Sequence, residues 1–191
     1  MDLPVESDEN LMMRFGRGEA AAFETLYHRH ESRLFRYLYR QLHDQASADD
    51  LMQEVWFAVA RNARNYEPSA RFTTWLFTLA RNRMIDLLRK RRPEHSLEQG
   101  AGEEDEPMRD RMPGDAREEP LRQVESQQAG QALIEAVERL PADQRDAFLM
   151  QAEAGLSLDQ IAEVSSSSFE TVKSRLRYAR ARLRQALWEY A

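Results

Sequence analysis

FETVKSRLRYARARLRQ, residues 169–185, sets one lysine and five arginines among apolar residues at helical spacing. At about 100° per residue, Phe169, Val172, Leu176, Ala179, Leu183 and Leu187 fall in one stripe about 80° wide, enough to seat a helix on a core. Lys173, Arg177, Arg180 and Arg184 form a ridge along one flank, with Arg175 and Arg182 on the other. A solvated amphipathic helix is the ordinary reading of such a segment, but a solvated face usually mixes signs for pairing one turn apart. Here Glu170 and Glu189 are the only acids between positions 169 and 189. That imbalance favours a polyanion as the partner.

Upstream, ALIEAVERL (132–140) stops at Pro141, well placed as the first residue of a helix that Gly155 closes. Ser157 with Gln160 reads as a capping box opening SLDQIAEV, and Ser167 with Glu170 as a second one opening the basic helix. A short helix, a serine turn and a longer basic helix make a helix-turn-helix arrangement. In such a unit the N-terminal residues of the second helix reach base edges, while later cations and the helix N-terminus hold phosphates. A helical hairpin unrelated to DNA is the competing reading of this half alone.

The 191 residues allow one or two domains, and 42% hydrophobic content suffices for a core. Mean hydropathy of −0.73 and 31% charged residues describe a water-soluble chain. No apolar run approaches the ~20 residues of a membrane span, and MDLPVESDENLMMRF has acids where a signal peptide carries bases. With no cysteine there is no disulfide framework and no cysteine-based zinc site. A bacterial-type cytosol is the simplest compartment, so a cytoplasmic protein is expected.

The net charge of −6 argues against nucleic acid until it is read by segment. Residues 94–125 hold eleven acids and four bases, and setting them aside leaves the chain's 27 bases and 33 acids nearly balanced. In the remainder the bases cluster: Arg71, Arg81, Arg83, Arg89, Lys90, Arg91 and Arg92 face only Asp86 between 71 and 92. Local charge is therefore the better guide. The acidic segment also contains Pro107, Pro113, Pro120, Gly100, Gly102 and Gly114, a composition expected of a flexible linker. The expected division is an N-terminal helical domain 1–93, a linker 94–125 and a C-terminal helical domain 126–191, an all-α two-domain protein.

In the N-terminal part a short helix should follow Ser7/Asp8 and end near Gly16–Gly18. A longer one carries Phe23, Leu26, Tyr27, His30, Leu34, Tyr37 and Leu38 on one face. Ser47 reads as an N-cap with Asp49 and Asp50 in the first turn, where the helix dipole favours acids. NYEPSAR (65–71) breaks the pattern at Pro68, and a last helix runs from Phe72 to Arg91 before Pro93.

Several stretches now resemble one family, the extracytoplasmic-function (ECF) sigma factors of bacterial RNA polymerase. They are ADDLMQEVWFAVARN (48–62), RFTTWLFTLARNRMIDLLRKRRP (71–93), LPADQRDAFLMQAEAGLSLDQIAEV (140–164) and FETVKSRLRYARARLR (169–184), in the family's order. The resemblance implies an alternative sigma factor that binds core RNA polymerase, recognises −35 and −10 promoter elements and helps open the duplex. It also implies a stress or envelope-responsive regulon, an anti-sigma factor as a further partner, no membrane insertion, no cofactor and a monomer outside these complexes. One match departs from the pattern: the turn usually has glycine and an apolar residue where this chain has Ser166 and Ser167. Serine tolerates positive φ less well than glycine, which puts the turn geometry in question.

Asp50, Gln53 and Glu54 share a helix face apart from Leu51, Val55 and Ala58. By themselves they read as a solvated face; the resemblance makes them the surface that docks the polymerase clamp helices, with Met52 and Trp56 adding apolar contact where exposed. YEPSARFTTW (66–75) combines a loop, aromatics and a following basic helix. Bases leaving a duplex need stacking surfaces, and their phosphates need cations. Tyr66 and Phe72 are candidates for stacking, and Arg71, Thr73 and Thr74 for backbone or base contacts. Trp75, on the apolar stripe with Leu76 and Leu79, reads as packing. By resemblance Asn82, Arg83 and Asp86 face the upstream −10 element, and Arg89 and Lys90 begin a run of phosphate contacts. For the −35 element the candidates are Ser168, Glu170, Thr171, Lys173, Ser174, Arg175 and Arg177, with Arg180 and Arg184 nearer phosphates.

The linker's 32 residues extend at most ~110 Å at roughly 3.4 Å each, and a relaxed coil of that length spans ~30 Å. Sites two duplex turns apart, ~70 Å, are thus within reach. An acidic tract running through polymerase channels would mimic nucleic acid; a spacer kept soluble by its charge reads equally well.

Two other classes compete. A dimeric helix-turn-helix regulator explains residues 132–187 but leaves the basic helix 72–92 and the DLMQE face without a purpose. An enzyme finds little support: His28 and His30 point about 200° apart on a helix and cannot share a metal, and His43 and His95 lack partners. Glycine-rich phosphate loops and nucleophile motifs are missing from the sequence.

Overall fold

Ser7 accepts a hydrogen bond from the Asn10 N–H at 3.2 Å and opens the first helix, α1 (Asp8–Gly16), where the sequence expects it. This computed structural model describes the backbone of residues 6–91 and 121–188, and side chains within them except at 121–128. The expected linker lies outside the described residues as far as position 120; its last five residues already belong to a helix.

Helix α2 (Ala20–Leu42) buries Leu26, His30, Leu34, Tyr37 and Leu38 on one face, as their spacing requires. Helix α3 (Gln45–Asn62) starts two residues before the expected cap. Asp44 is the N-cap, accepting from the Ser47 N–H at 3.1 Å, and Ser47 lies inside the helix, where its hydroxyl bonds Asp44 and Arg91. A 3-10 turn (Ala63–Asn65) and an extended loop lead to α4 (Phe72–Arg91). Gly16 allows the close approach of α1 to that turn: a Cβ there would stand 2.3 Å from the Ala63 carbonyl oxygen. Leu26, Leu34, Tyr37, Val55, Val59, Phe72, Leu76 and Phe77 are fully enclosed between these four helices.

The second bundle comprises α5 (Leu121–Glu138), α6 (Ala142–Ala152), α7 (Leu158–Ser165) and α8 (Phe169–Ala186). Pro141 is the N-cap of α6 rather than its first turn. Gly155, at φ 67, closes α6, with the Leu156 N–H reaching back to the Met150 carbonyl at 3.3 Å. Both halves of the Ser157–Gln160 capping box are present, at 3.3 and 2.9 Å. Val172, Leu176, Ala179 and Leu183 seat α8 on Leu149, Met150, Ile161 and Val164. All regular structure among the described residues is helical, as the sequence implies. The two bundles meet where α2 and α4 touch α6 and α7.

Candidate functional site

On α3, Asp50, Gln53 and Glu54 are exposed while Leu51, Val55 and Val59 are buried behind them. Trp56, expected to add apolar contact, is instead 5% exposed, held between Phe23 and Tyr27 of α2 at ring-centroid distances of 5.6 and 5.1 Å. Met52 is half-buried. The exposed aromatic is Phe57, at 66%. It lies one turn beyond Gln53 and Glu54, at the centre of the same stripe. The spacing was readable in the sequence; its exposure was not.

Asp50 and Glu54 also open onto a cleft of about 270 Å³ shared with Arg83, Asp86, Lys90 and Arg91 of α4. The acidic face of α3 and the basic face of α4 thus border one concavity. On α4, Asn82, Asp86, Arg89 and Lys90 are exposed and Arg83 is half-buried; Asp86 pairs with Arg89 at 2.8 Å.

Around the loop before α4, two expectations need correction. Phe72 has no exposed surface: it packs against Tyr66, Trp75 and His30 at centroid distances of 6.3, 5.8 and 5.4 Å, so it supports the loop and offers no stacking face. Thr74 is 2% exposed and likewise faces the core. Phe72 is covered by Tyr66 of the loop and His30 of α2, which a reading of α4 alone does not reveal. Trp75 packs as expected, 5.2 Å from Tyr66. Tyr66 is half-buried with its hydroxyl inside; burial, then Glu9 and Asp8, push the phenol up to about 12.

Exposed Arg71 and half-buried Thr73 remain at the surface, on a shallow concavity of about 420 Å³ lined also by Asp8, Glu9, Pro68, Ser69 and Ala70. Sequence reading missed Asp8 and Glu9, whose only signal was their place in a first helical turn. Asp8 accepts from Arg29 and faces His30 Nε2, each at 2.7 Å. Burial opposes ionisation there, but these two partners prevail and hold the carboxyl below its usual range.

The turn between α7 and α8 resolves the question of its missing glycine. Ser166 adopts φ 51, ψ 39, the left-handed conformation, and its N–H closes α7 on the Glu163 carbonyl at 3.2 Å. Ser168, not Ser167, is the N-cap of α8, accepting from the Thr171 N–H at 3.1 Å. Ser167 instead accepts from Arg175 Nη1 at 3.0 Å, and Arg175 also bonds Asp143, so this cation is tied into its own bundle. Arg180 donates to Gln151 at 2.6 Å. Glu170, Thr171, Lys173 and Arg177 are exposed and Ser174 half-buried. Lys173 stands 3.5 Å from Glu170, and Arg177 lies over the Tyr178 ring at 4.7 Å. Phe169 leaves the expected core stripe, being 42% exposed at the start of α8, where no helix covers it.

Residues 26–94 match the family described as Sigma-70 region 2, and residues 130–183 match Sigma-70, region 4. The chain is 31% identical over 178 residues to the RNA polymerase sigma factor CarQ of Myxococcus xanthus, covering 93% of this chain and 96% of that one. It is 32% identical over 169 residues to the ECF RNA polymerase sigma factor RpoE of Cereibacter sphaeroides, with 87% of each covered. Among solved structures, the sigma factor RpoE in complex with the anti-sigma factor NepR from Bartonella quintana superposes with a TM-score of 0.58. That pair shares 25% identity, over 81% of this chain and 89% of the other.

Proposed function

We propose how the two bundles divide their work from the premise that this chain belongs to the ECF group of the sigma-70 family. It is an alternative RNA polymerase sigma factor and initiates transcription. Its partners are core RNA polymerase, promoter DNA and an anti-sigma factor, and it acts in the cytoplasm. No helix among the described residues is long and apolar enough to cross a membrane.

Residues 1–93 dock the polymerase and handle the −10 element, 126–191 read the −35 element, and 94–125 connect them. The stripe of Asp50, Gln53, Glu54 and Phe57 is the polymerase-docking face: charges at the rim and one large apolar anchor at the centre are the arrangement of an interface hot spot. Asn82, Arg83, Asp86, Arg89 and Lys90 on α4, with Tyr66, Arg71 and Thr73 at its entrance, meet the −10 region. Phe72 and Thr74 act beneath that surface as its support.

At the start of α8, Ser168, Glu170, Thr171, Lys173, Ser174 and Arg177 face the major groove, where polar side chains and cations distinguish base edges. Arg180 lies toward phosphates, and Arg175 holds the helix-turn-helix in shape. The observation that carries this reading is the occurrence of both regions, in order, on one chain whose first bundle exposes the α3 face and the α4 cations and whose second carries the helix-turn-helix.

The test is co-elution with bacterial core RNA polymerase beside an Asp50/Gln53/Glu54 triple-alanine variant. Stoichiometric binding by the wild type that the variant loses supports the assignment. Equal binding by the two moves the docking face elsewhere.

A further inference from the structure

Helix α1 reaches both ends of the segment that leads into α4. At the start of that segment, Gly16 lies against the 3-10 turn, so close that a Cβ on it would stand 2.3 Å from the Ala63 carbonyl oxygen. At the other end of α1, Glu9 Oε1 accepts from the Phe72 N–H at 2.7 Å. The loop between these points has short-range backbone bonds of its own. Tyr66 N–H donates to the Ala63 carbonyl at 3.4 Å, and Ser69 N–H to the Glu67 carbonyl at 2.8 Å.

The residue next to Glu9 fixes α1 to α2. Asp8 Oδ1 accepts from Arg29 Nη1 and its Oδ2 faces His30 Nε2, each at 2.7 Å, while Arg29 also donates to the Glu6 carbonyl at 2.8 Å. The His30 ring in turn packs on Phe72, with 5.4 Å between centroids. Adjacent carboxylates of α1 thus hold two different helices, Asp8 gripping α2 and Glu9 gripping α4. Phe72 receives both holds, one through its N–H and one through its ring. Asp8 and Glu9 also line the concavity onto which Arg71 and Thr73 open.

We infer that α1 is a splint for the 66–71 loop, and that Glu9 and Gly16 are positioning residues that hold the loop's two ends so that Arg71 and Thr73 are set to receive an unpaired strand. A loop ordered in advance does not lose its conformational freedom again when the strand arrives. A loop freed at either end loses it at that moment, so affinity for unpaired DNA falls while contacts made elsewhere stay as they are. The functional consequence rests on the −10 reading of this loop; the splint does not.

The test compares two DNAs on the holoenzyme that the full chain forms with bacterial core polymerase. One is a duplex kept closed in the cold, selected by the wild-type holoenzyme from a randomised pool. The other is the same sequence made as a fork with its −10 strand unpaired. Glu9→Ala should bind the duplex as the wild type does and the fork about fivefold more weakly, the ratio to which one lost cap corresponds. Glu9→Gln keeps an acceptor for the Phe72 N–H and should restore the fork affinity. Gly16→Ala forces the Ala63 carbonyl aside and should weaken the fork at least as much.

A variant that merely unfolds loses duplex and fork together, so equal losses overturn the inference. An unchanged fork affinity in Glu9→Ala, or no recovery in Glu9→Gln, overturns it too. If Gly16→Ala does not fold, the Glu9 pair carries the test alone. Hydrogen exchange of residues 66–72 in the free chain decides the splint without DNA: Glu9→Ala should speed exchange at the Phe72 amide and along the loop, and Glu9→Gln should slow it again. Unchanged exchange overturns the splint. An Arg71→Ala variant that binds the fork as the wild type does removes the −10 reading and leaves exchange to judge the splint, so the two failures are distinguishable.

Discussion

Glu9 Oε1 accepts a hydrogen bond from the Phe72 backbone N–H at 2.7 Å, so a carboxylate from α1 caps α4, the helix proposed to meet the −10 region. Arg71, at the cap position itself, has no acceptor to offer; its carbonyl only receives the first helical bond, from the Trp75 N–H at 3.1 Å. Glu9→Ala should destabilise the first bundle by about 1 kcal/mol, the usual cost of a lost cap. Thermal unfolding reads the loss, and Glu9→Gln, which keeps an acceptor, should recover part of it.

Asp8 makes stability depend on acid. Burial opposes its ionisation, but His30 and Arg29 outweigh that and hold its carboxyl below the usual aspartate range. A depressed folded value contributes stability that is complete above the unfolded pKa and is lost as pH falls through the lower, folded one. Urea titrations between pH 5 and pH 2 should therefore show a steeper acid loss in the wild type than in Asp8→Asn. Parallel curves would remove Asp8 from the account.

Ser166 holds a left-handed backbone without glycine's freedom, at φ 51. Ser166→Gly relieves that strain and should raise stability by about 0.5–1 kcal/mol. The position is exposed, so no packing is lost. A lower melting temperature in the glycine variant would show that Ser166 makes a contribution the backbone argument omits.

Phe57 is exposed at 66%, so its truncation removes little from the folded chain. Phe57→Ala should leave unfolding within about 0.5 kcal/mol of wild type. Polymerase binding should weaken about 30-fold, the effect of losing a hot-spot side chain worth ~2 kcal/mol. Fluorescence titration against core polymerase measures it.

The cations of α8 should divide by experiment into two kinds. Lys173→Ala and Arg177→Ala, exposed, should each lower the salt slope of −35 duplex binding by about 1 if they meet phosphates, or relax one base position if they meet base edges. Arg175→Ala should instead destabilise the second bundle, because its guanidinium is engaged with Ser167 and Asp143.

The helices were legible because each depends on local rules. The spacing of Leu26, His30, Leu34 and Tyr37, the Ser157–Gln160 box and the stop at Gly155 all act within a few residues, and the structure keeps them. Caps were less legible: Asp44 and Ser168 displaced the expected Ser47 and Ser167, since capping-competent side chains one or three residues apart compete for one position. The surface of the site was the least legible. Phe57, Phe72 and Phe169 are the same residue type at helical positions, yet their exposures are 66, 0 and 42%.

By itself, then, the sequence determined an all-α chain, its order of helices, a helix-turn-helix with a basic second helix and an acidic stripe on α3. These follow from periodicity, capping chemistry and charge, which act along one chain direction. Only the tertiary structure decided which aromatics are covered, that Glu9 caps a helix 63 residues away, and that Asp146 gathers Tyr37, Gln41 and Arg81. The reason is physical: burial and hydrogen-bond partnership are properties of two surfaces in contact, and the second surface lies far away in the sequence.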